Sequence, residues 1–200
     1  MEIDIWNFLL TFAGGGAFVA TLKFIQFLVE VYFFKSKHRV KITVEDISWL
    51  YNELNQILAK LDPARIVIVK AENGGGIPHI GNQVFSTVLY EVHDNDVDPV
   101  SAAWDKRPVD KGLADILSYI VQYDECRIDK GSVQGAVRDI YEAQGIAFSL
   151  VYQVYKDEKA FFYMSINFRK NRTFDAKERT LLHDSVNKVR RRFSKIRYLS

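Results

Sequence analysis

The sequence predicts an α+β domain, an antiparallel sheet with flanking helices, preceded by one transmembrane helix. Three observations predict it. Apolar residues recur at helical spacing in Ile47, Leu50, Leu54, Ile57, Leu58 and Leu61, and again in Leu182, Val186, Val189 and Phe193. Between these lie β-branched and aromatic runs joined by short turns, which favour antiparallel pairing. Ahead of them, residues 5–22 carry no charge, close to the length a helix needs to cross a bilayer core.

The N-terminal stretch is divided as 1–35, a transmembrane helix and its extension, and 36–43, a basic juxtamembrane linker. Lys23, Gln26 and Glu30 share one face of the extension. A cleaved signal peptide would need a basic start, whereas this chain opens with Glu2 and Asp4. A buried helix of a soluble protein would leave a long Phe-rich surface in need of cover. Lys35, Lys37, Arg39 and Lys41 follow the span. Positive charge collects on the cytoplasmic flank, so the N-terminus is expected outside and the C-terminal domain inside. Ala13 with Ala17, and Gly16 with Ala20, give small-xxx-small spacing compatible with helix pairing.

Residues 44–193 form the expected α+β domain and 194–200 a basic tail. The first helix should stop near Asp62 and Pro63. Residues 65–71, RIVIVKA, suit a buried strand, and 84–92 a second, with Val84, Ser86, Val88, Tyr90 and Val92 on one side. The polar, acidic segment 93–111 is expected to be a long exposed loop. Leu113, Ile116, Leu117, Ile120 and Val121 mark a helix; Cys126, Arg127 and Ile128 a short strand. Ser132 is placed to cap a helix through Val137 and Tyr141, with Gly145 to end it. Residues 148–155 and 160–168 read as a hairpin, with Phe162, Met164, Ile166 and Phe168 on one face. Asp175 and Glu178 make a capping box before the last helix.

The chemistry of catalysis is missing from the pattern. The glycine-rich loop 72–81 lacks both the Gly-Lys-Ser/Thr ending of a phosphate loop and a following helix. His38, His79, His93 and His183 are scattered, without metal spacing, and the acidic run 93–98 lacks the Gly and terminal Glu of a calcium loop. No Ser lies in a nucleophile elbow. The single cysteine, Cys126, excludes an intramolecular disulfide and fits a reducing compartment. Net charge is +2, so no nucleic-acid partner is expected from the bulk charge. The C-terminal run through Arg190, Arg191 and Arg192 reads either as a solvated helix face or as a contact for anionic lipid headgroups.

The order of elements, the turn-and-strand GIAFSLVYQVY, the strand KAFFYMSINF and the close FRKNRTFDAKERTLLHDSVNKV resemble the GAF-domain family over roughly residues 44–193. Asn167, Phe174, Asp175 and Glu178 partly echo the pattern of its cyclic-nucleotide-binding branch, with Phe168 where that branch carries Lys. The resemblance implies a sensory fold of the GAF/PAS-like kind. It also implies terminal helices that pack together and often build a dimer, and helices and loops covering a ligand pocket. Sulfoxide reductases that share the fold use several cysteines, against the one here.

The expected function is therefore a membrane-anchored, cytosolic, non-enzymatic regulatory module, a homodimer through its span and terminal helices. It would bind a small molecule or a partner protein, with the cofactor unknown. The alternative is a ligand-free scaffold that recruits a partner to a membrane complex. Candidate pocket residues are the aromatics Phe85, Tyr90, Trp104, Tyr119, Tyr123, Phe148 and Tyr152.

Overall fold

The computed structural model describes residues 43–72, 84–101, 103–156 and 160–195. Residues 1–42, with the expected span and the collar Lys35, Lys37, Arg39 and Lys41, lie outside the described residues. So do residues 73–83, which take in all but the first residue of the glycine-rich loop 72–81, and residues 196–200 of the basic tail 194–200. Among the described residues no helix is long and apolar enough to cross a membrane. Residues 43–195 form one compact unit.

Its elements are α1 (Val44–Leu61), β1 (Arg65–Glu72), β2 (Phe85–His93), β3 (Arg107–Pro108), α2 (Lys111–Tyr123), β4 (Glu125–Asp129), a 3-10 turn (Lys130–Ser132), α3 (Gly135–Ala143), β5 (Phe148–Lys156), β6 (Ala160–Phe168) and α4 (Ala176–Lys195). The strands form one six-stranded sheet in the order β3-β2-β1-β6-β5-β4. Every pairing is antiparallel. The α+β class and the order of elements match the expectation.

Strand alternation divides the sheet into two buried faces. Ile66 and Ile68 share one with their β6 partners Ile166 and Met164. This face is covered by α1 and α4, whose Leu54, Ile57, Val186, Val189 and Phe193 are buried; Phe193 meets Phe162 at 5.6 Å between ring centroids. Arg65, Val67, Val69 and Ala71 take the opposite face with Asn167, Ser165, Tyr163 and Phe161. There α2, α3 and the 93–111 segment close a second core.

Local rules explain the helix ends. Thr43 and Asp46 form a reciprocal capping box at α1, and Asp62 in the left-handed region returns its N–H to Leu58 O. At α4, Asp175 Oδ1 accepts the Glu178 N–H at 2.8 Å and Glu178 Oε2 accepts the Asp175 N–H at 3.0 Å, as the sequence predicted. Ser132 does not cap α3: it lies in the 3-10 turn with its hydroxyl donating to Asp129 O, and α3 begins at Gly135. The first turn of α3 is instead served by Asp110, whose Oδ1 accepts Leu113 N–H and whose Oδ2 accepts Ala136 N–H.

Two features depart from the pattern. A bulge between Ile68 and Val69 leaves Leu89 without an opposite residue: Ile68 faces Tyr90 while Val69 faces Val88. The bulge moves Tyr90 and Val92 to the face opposite Ser86 and Val88, so the single stripe expected along β2 is broken. The 93–111 segment is also not a solvated loop, since Val97, Val100 and Trp104 are buried in the second core. Glu91 holds it there by accepting the N–H groups of Val100 and Ser101. Trp104 O accepts the Val88 N–H at 3.1 Å. Two of its acidic side chains are engaged: Asp96 pairs with Arg169 of the segment after β6, and Asp94 Oδ1 accepts the Asn95 N–H.

Candidate functional site

Between the second face of the sheet and α2/α3 lies a partly open cavity of about 70 Å³. Val67, Val69, Val88, Val100, Leu113, Val137 and Val151 are among the residues that make its walls chiefly aliphatic. Trp104 completes a wall, its indole N–H donating to Ser86 Oγ at 2.7 Å. The space admits a few waters or a handful of ligand heavy atoms.

The polar end of the cavity comes from the first residue of β1 and its neighbours. Arg65 is 1% exposed and lines the cavity. Its Nη1 lies 3.7 Å from Glu91 Oε1 and reaches Asp98 O at 3.5 Å, both long contacts. Its Nε is buried without a hydrogen-bond partner. Burial draws the guanidinium pKa down, while Glu91 and Tyr141 act the other way. An arginine held this way has more donors than acceptors around it.

A hydroxyl chain lines the adjoining wall. Tyr141 Oη donates to Ser149 Oγ at 2.5 Å, Ser149 Oγ donates to Asn167 Oδ1 at 2.7 Å, and Ser165 Oγ donates to the same oxygen at 2.7 Å. Burial pushes the Tyr141 hydroxyl up to about 12, against the pull of its Ser149 hydrogen bond. It therefore remains a protonated donor near neutral pH. Burial likewise raises the phenol of Tyr163, on the same face.

Of the aromatic candidates, Trp104 lines this cavity and the others lie elsewhere. Tyr90, turned by the bulge, meets Tyr51 of α1 at 6.0 Å. Phe148 stacks on Phe168 at 4.8 Å beneath the Arg127 guanidinium, and Tyr152 pairs with Met164, both on the α1/α4 face. Tyr119 and Tyr123 touch each other at 4.5 Å and are 50% and 53% exposed on α2. Phe85 is half-buried at the start of β2. The structure thus does not bring the aromatic set together. The residues that pattern-reading passed over as site residues are Arg65, Tyr141 and Ser165; Asn167 enters only through the partial echo of the cyclic-nucleotide-binding pattern. Their signal was a charged residue opening an otherwise apolar strand, and polar residues spaced two apart on a buried one.

The C-terminal basic run is partly structural. Arg190 Nε donates to Gln153 O at 2.7 Å, and its Nη2 reaches Asp124 O at 3.2 Å. Arg192 pairs with Asp46 and lies over Trp49, while Arg191 is exposed. Cys126, on β4, is half-buried, and burial followed by the charge of Glu125 pushes its thiol up to about 11. Among the described residues no group of three or more His, Cys, Asp or Glu side chains could hold a metal ion.

No family model matches the sequence, and neither does any curated protein. Solved structures do. The chain is similar to a far-red cyanobacteriochrome photoreceptor at 14% identity and TM-score 0.56, over 86% of this chain and 97% of that one. The phycocyanobilin-bound GAF domain of a cyanobacterial phytochrome matches at 14% identity and TM-score 0.52, over 81% and 90%. The GAF domain/HD domain protein of Geobacter sulfurreducens matches at 14% and 0.52, over 76% and 94%. The domain has a GAF-like fold. At such identity the likeness establishes the GAF architecture and leaves the ligand to the residues of this chain.

Proposed function

We propose that this chain is a membrane-anchored, non-enzymatic GAF-like sensory module that binds a small molecule between its sheet and α2/α3. Residues 5–22 would cross the bilayer, the basic residues 35–41 would fix the domain on the cytoplasmic side, and the terminal helices would pair two copies. The observation that carries the reading is the aliphatic cavity with Arg65 buried at one end and its Nε unpaired. A core packed for stability alone closes such space and satisfies such groups.

The phytochrome relative is bilin-bound. A cavity of about 70 Å³ is far below the roughly 300–1,000 Å³ of drug-sized sites, so the ligand here is smaller than a tetrapyrrole. α2 and α3 form one wall, and occupancy would alter how they seat on the sheet. The scaffold reading draws on one observation of its own: Tyr119 and Tyr123, in contact with each other, leave an aromatic patch exposed on α2.

A thermal-shift screen of small metabolites on the full-length chain tests the sensory reading, with Val137→Phe as the cavity-filled control. At least one compound should raise the melting temperature of the wild type and leave the control unmoved. No stabilisation by any compound, or equal stabilisation of both proteins, would favour the scaffold. The anchor is checked in the same preparation, since the chain should stay with membranes through an alkaline carbonate wash.

A further inference from the structure

We infer that the cavity selects an uncharged molecule with a short aliphatic body and one hydrogen-bond-accepting oxygen, an amide or ketone, over the matching organic anion. This rests on the cavity being a ligand site.

The charge at its polar end is already balanced. Arg65 is 1% exposed and Glu91 7%, and they face each other at 3.7 Å. Glu91 is in turn held by the N–H groups of Val100 and Ser101. A carboxylate entering beside this pair would leave one negative charge in excess, out of water and unpaired, which is strongly opposed.

What the site lacks is an acceptor. The Tyr141 hydroxyl proton goes to Ser149, those of Ser149 and Ser165 to Asn167, and the Trp104 indole N–H to Ser86. The Arg65 Nε–H has none. One carbonyl oxygen placed against it satisfies that donor without adding charge, and a hydrogen bond from a charged donor is among the stronger ones. The aliphatic walls then take the remainder of the molecule. The volume of about 70 Å³ limits it to a handful of heavy atoms.

Propionamide and propionate share a skeleton and differ in this property alone. The full-length chain, labelled with nitrogen-15 in lipid nanodiscs, is titrated with each. The readouts are the Arg65 Nε–H and Trp104 indole N–H resonances, assigned by their loss in Arg65→Lys and Trp104→Phe. Propionamide should shift both to saturation at a concentration at least tenfold below that needed for propionate. Arg65→Lys, which keeps the charge opposite Glu91 but not the Nε–H, should weaken propionamide at the Trp104 resonance at least tenfold. Propionate binding as tightly as the amide would overturn the inference and leave the cavity a site for anions. Resonances unmoved by both compounds, or undiminished amide binding by Arg65→Lys, would also overturn it. The metabolite screen with its cavity-filled control decides separately whether the cavity is a ligand site at all.

Discussion

Asp110 holds the starts of two helices at once. Its carboxylate accepts from Leu113 N–H at 2.9 Å at the head of α2 and from Ala136 N–H at 2.8 Å at the head of α3. The second contact requires close approach. Gly135 has φ +61°, and a Cβ there would lie 2.2 Å from Asp110 Oδ2, so glycine is needed twice over. One cap is worth about 1 kcal/mol, so Asp110→Ala should lower unfolding free energy by about 2 kcal/mol in urea melts. Burial acts to raise the carboxyl pKa, but the N–H groups of Leu113, Ala136 and Gly112 and the charge of Arg107 outweigh it, and the folded-state value is depressed. A depressed value means stability that is present above the ordinary carboxylate pKa and lost as pH falls through the folded one. The wild type should therefore lose its advantage over Asp110→Ala on acidification, and a constant difference down to pH 2 would contradict this role. The box Asp175/Glu178 was legible because its partners are three apart. Asp110 was not, since its second partner is 26 residues away and only the fold brings it near. Arg65 was hidden for a similar reason: its strand was plain in the sequence, but Glu91 joins it from another.

At the scale of elements, periodicity located nearly every helix and strand, because burial of one face or both imposes a period on the sequence. It failed where the period changes within an element. In β2 the bulge at Leu89 hands Tyr90 to the α1 side while Ser86 and Val88 remain on the cavity side. A strict alternation therefore assigns half the strand to the wrong face. Deleting Leu89 should remove the bulge and leave a regular strand in which Val88 still faces Val69 and Tyr90 still faces Ile68, so that each side chain keeps its face. The expected outcome is a cooperative thermal transition by circular dichroism near that of the wild type. Loss of the cooperative melt would show that the bulge itself is needed. The 93–111 segment misled for a different reason. Its acidic and proline content reads as solvated loop, yet Val97, Val100 and Trp104 recur at spacings of three and four and all three are buried. Composition described the outer side of that segment, and spacing the inner one.

On the scale of the whole molecule, the sheet separates two cores of different character. The α1/α4 side is packed by Leu, Ile and Phe, with a buried polar tie where Glu53 accepts from Ser185 Oγ at 2.8 Å and Lys188 Nζ at 3.1 Å. The α2/α3 side holds the cavity and the under-satisfied Arg65. The first carries α1 and α4, the helices at either end of the domain. The second is where a ligand would change the structure. In the proposed account these two sides communicate across one shared sheet, so an event in the cavity reaches α1 and α4. The central claim is that the cavity is a site rather than a packing fault. A crystal structure of the full-length chain purified from its native cells tests it most directly. Continuous density for an organic molecule within hydrogen-bonding distance of Arg65 Nε, between Trp104 and Tyr141, is the predicted result. A cavity closed by repacked Val137 and Val151, with Arg65 Nε bonded to protein, would contradict it.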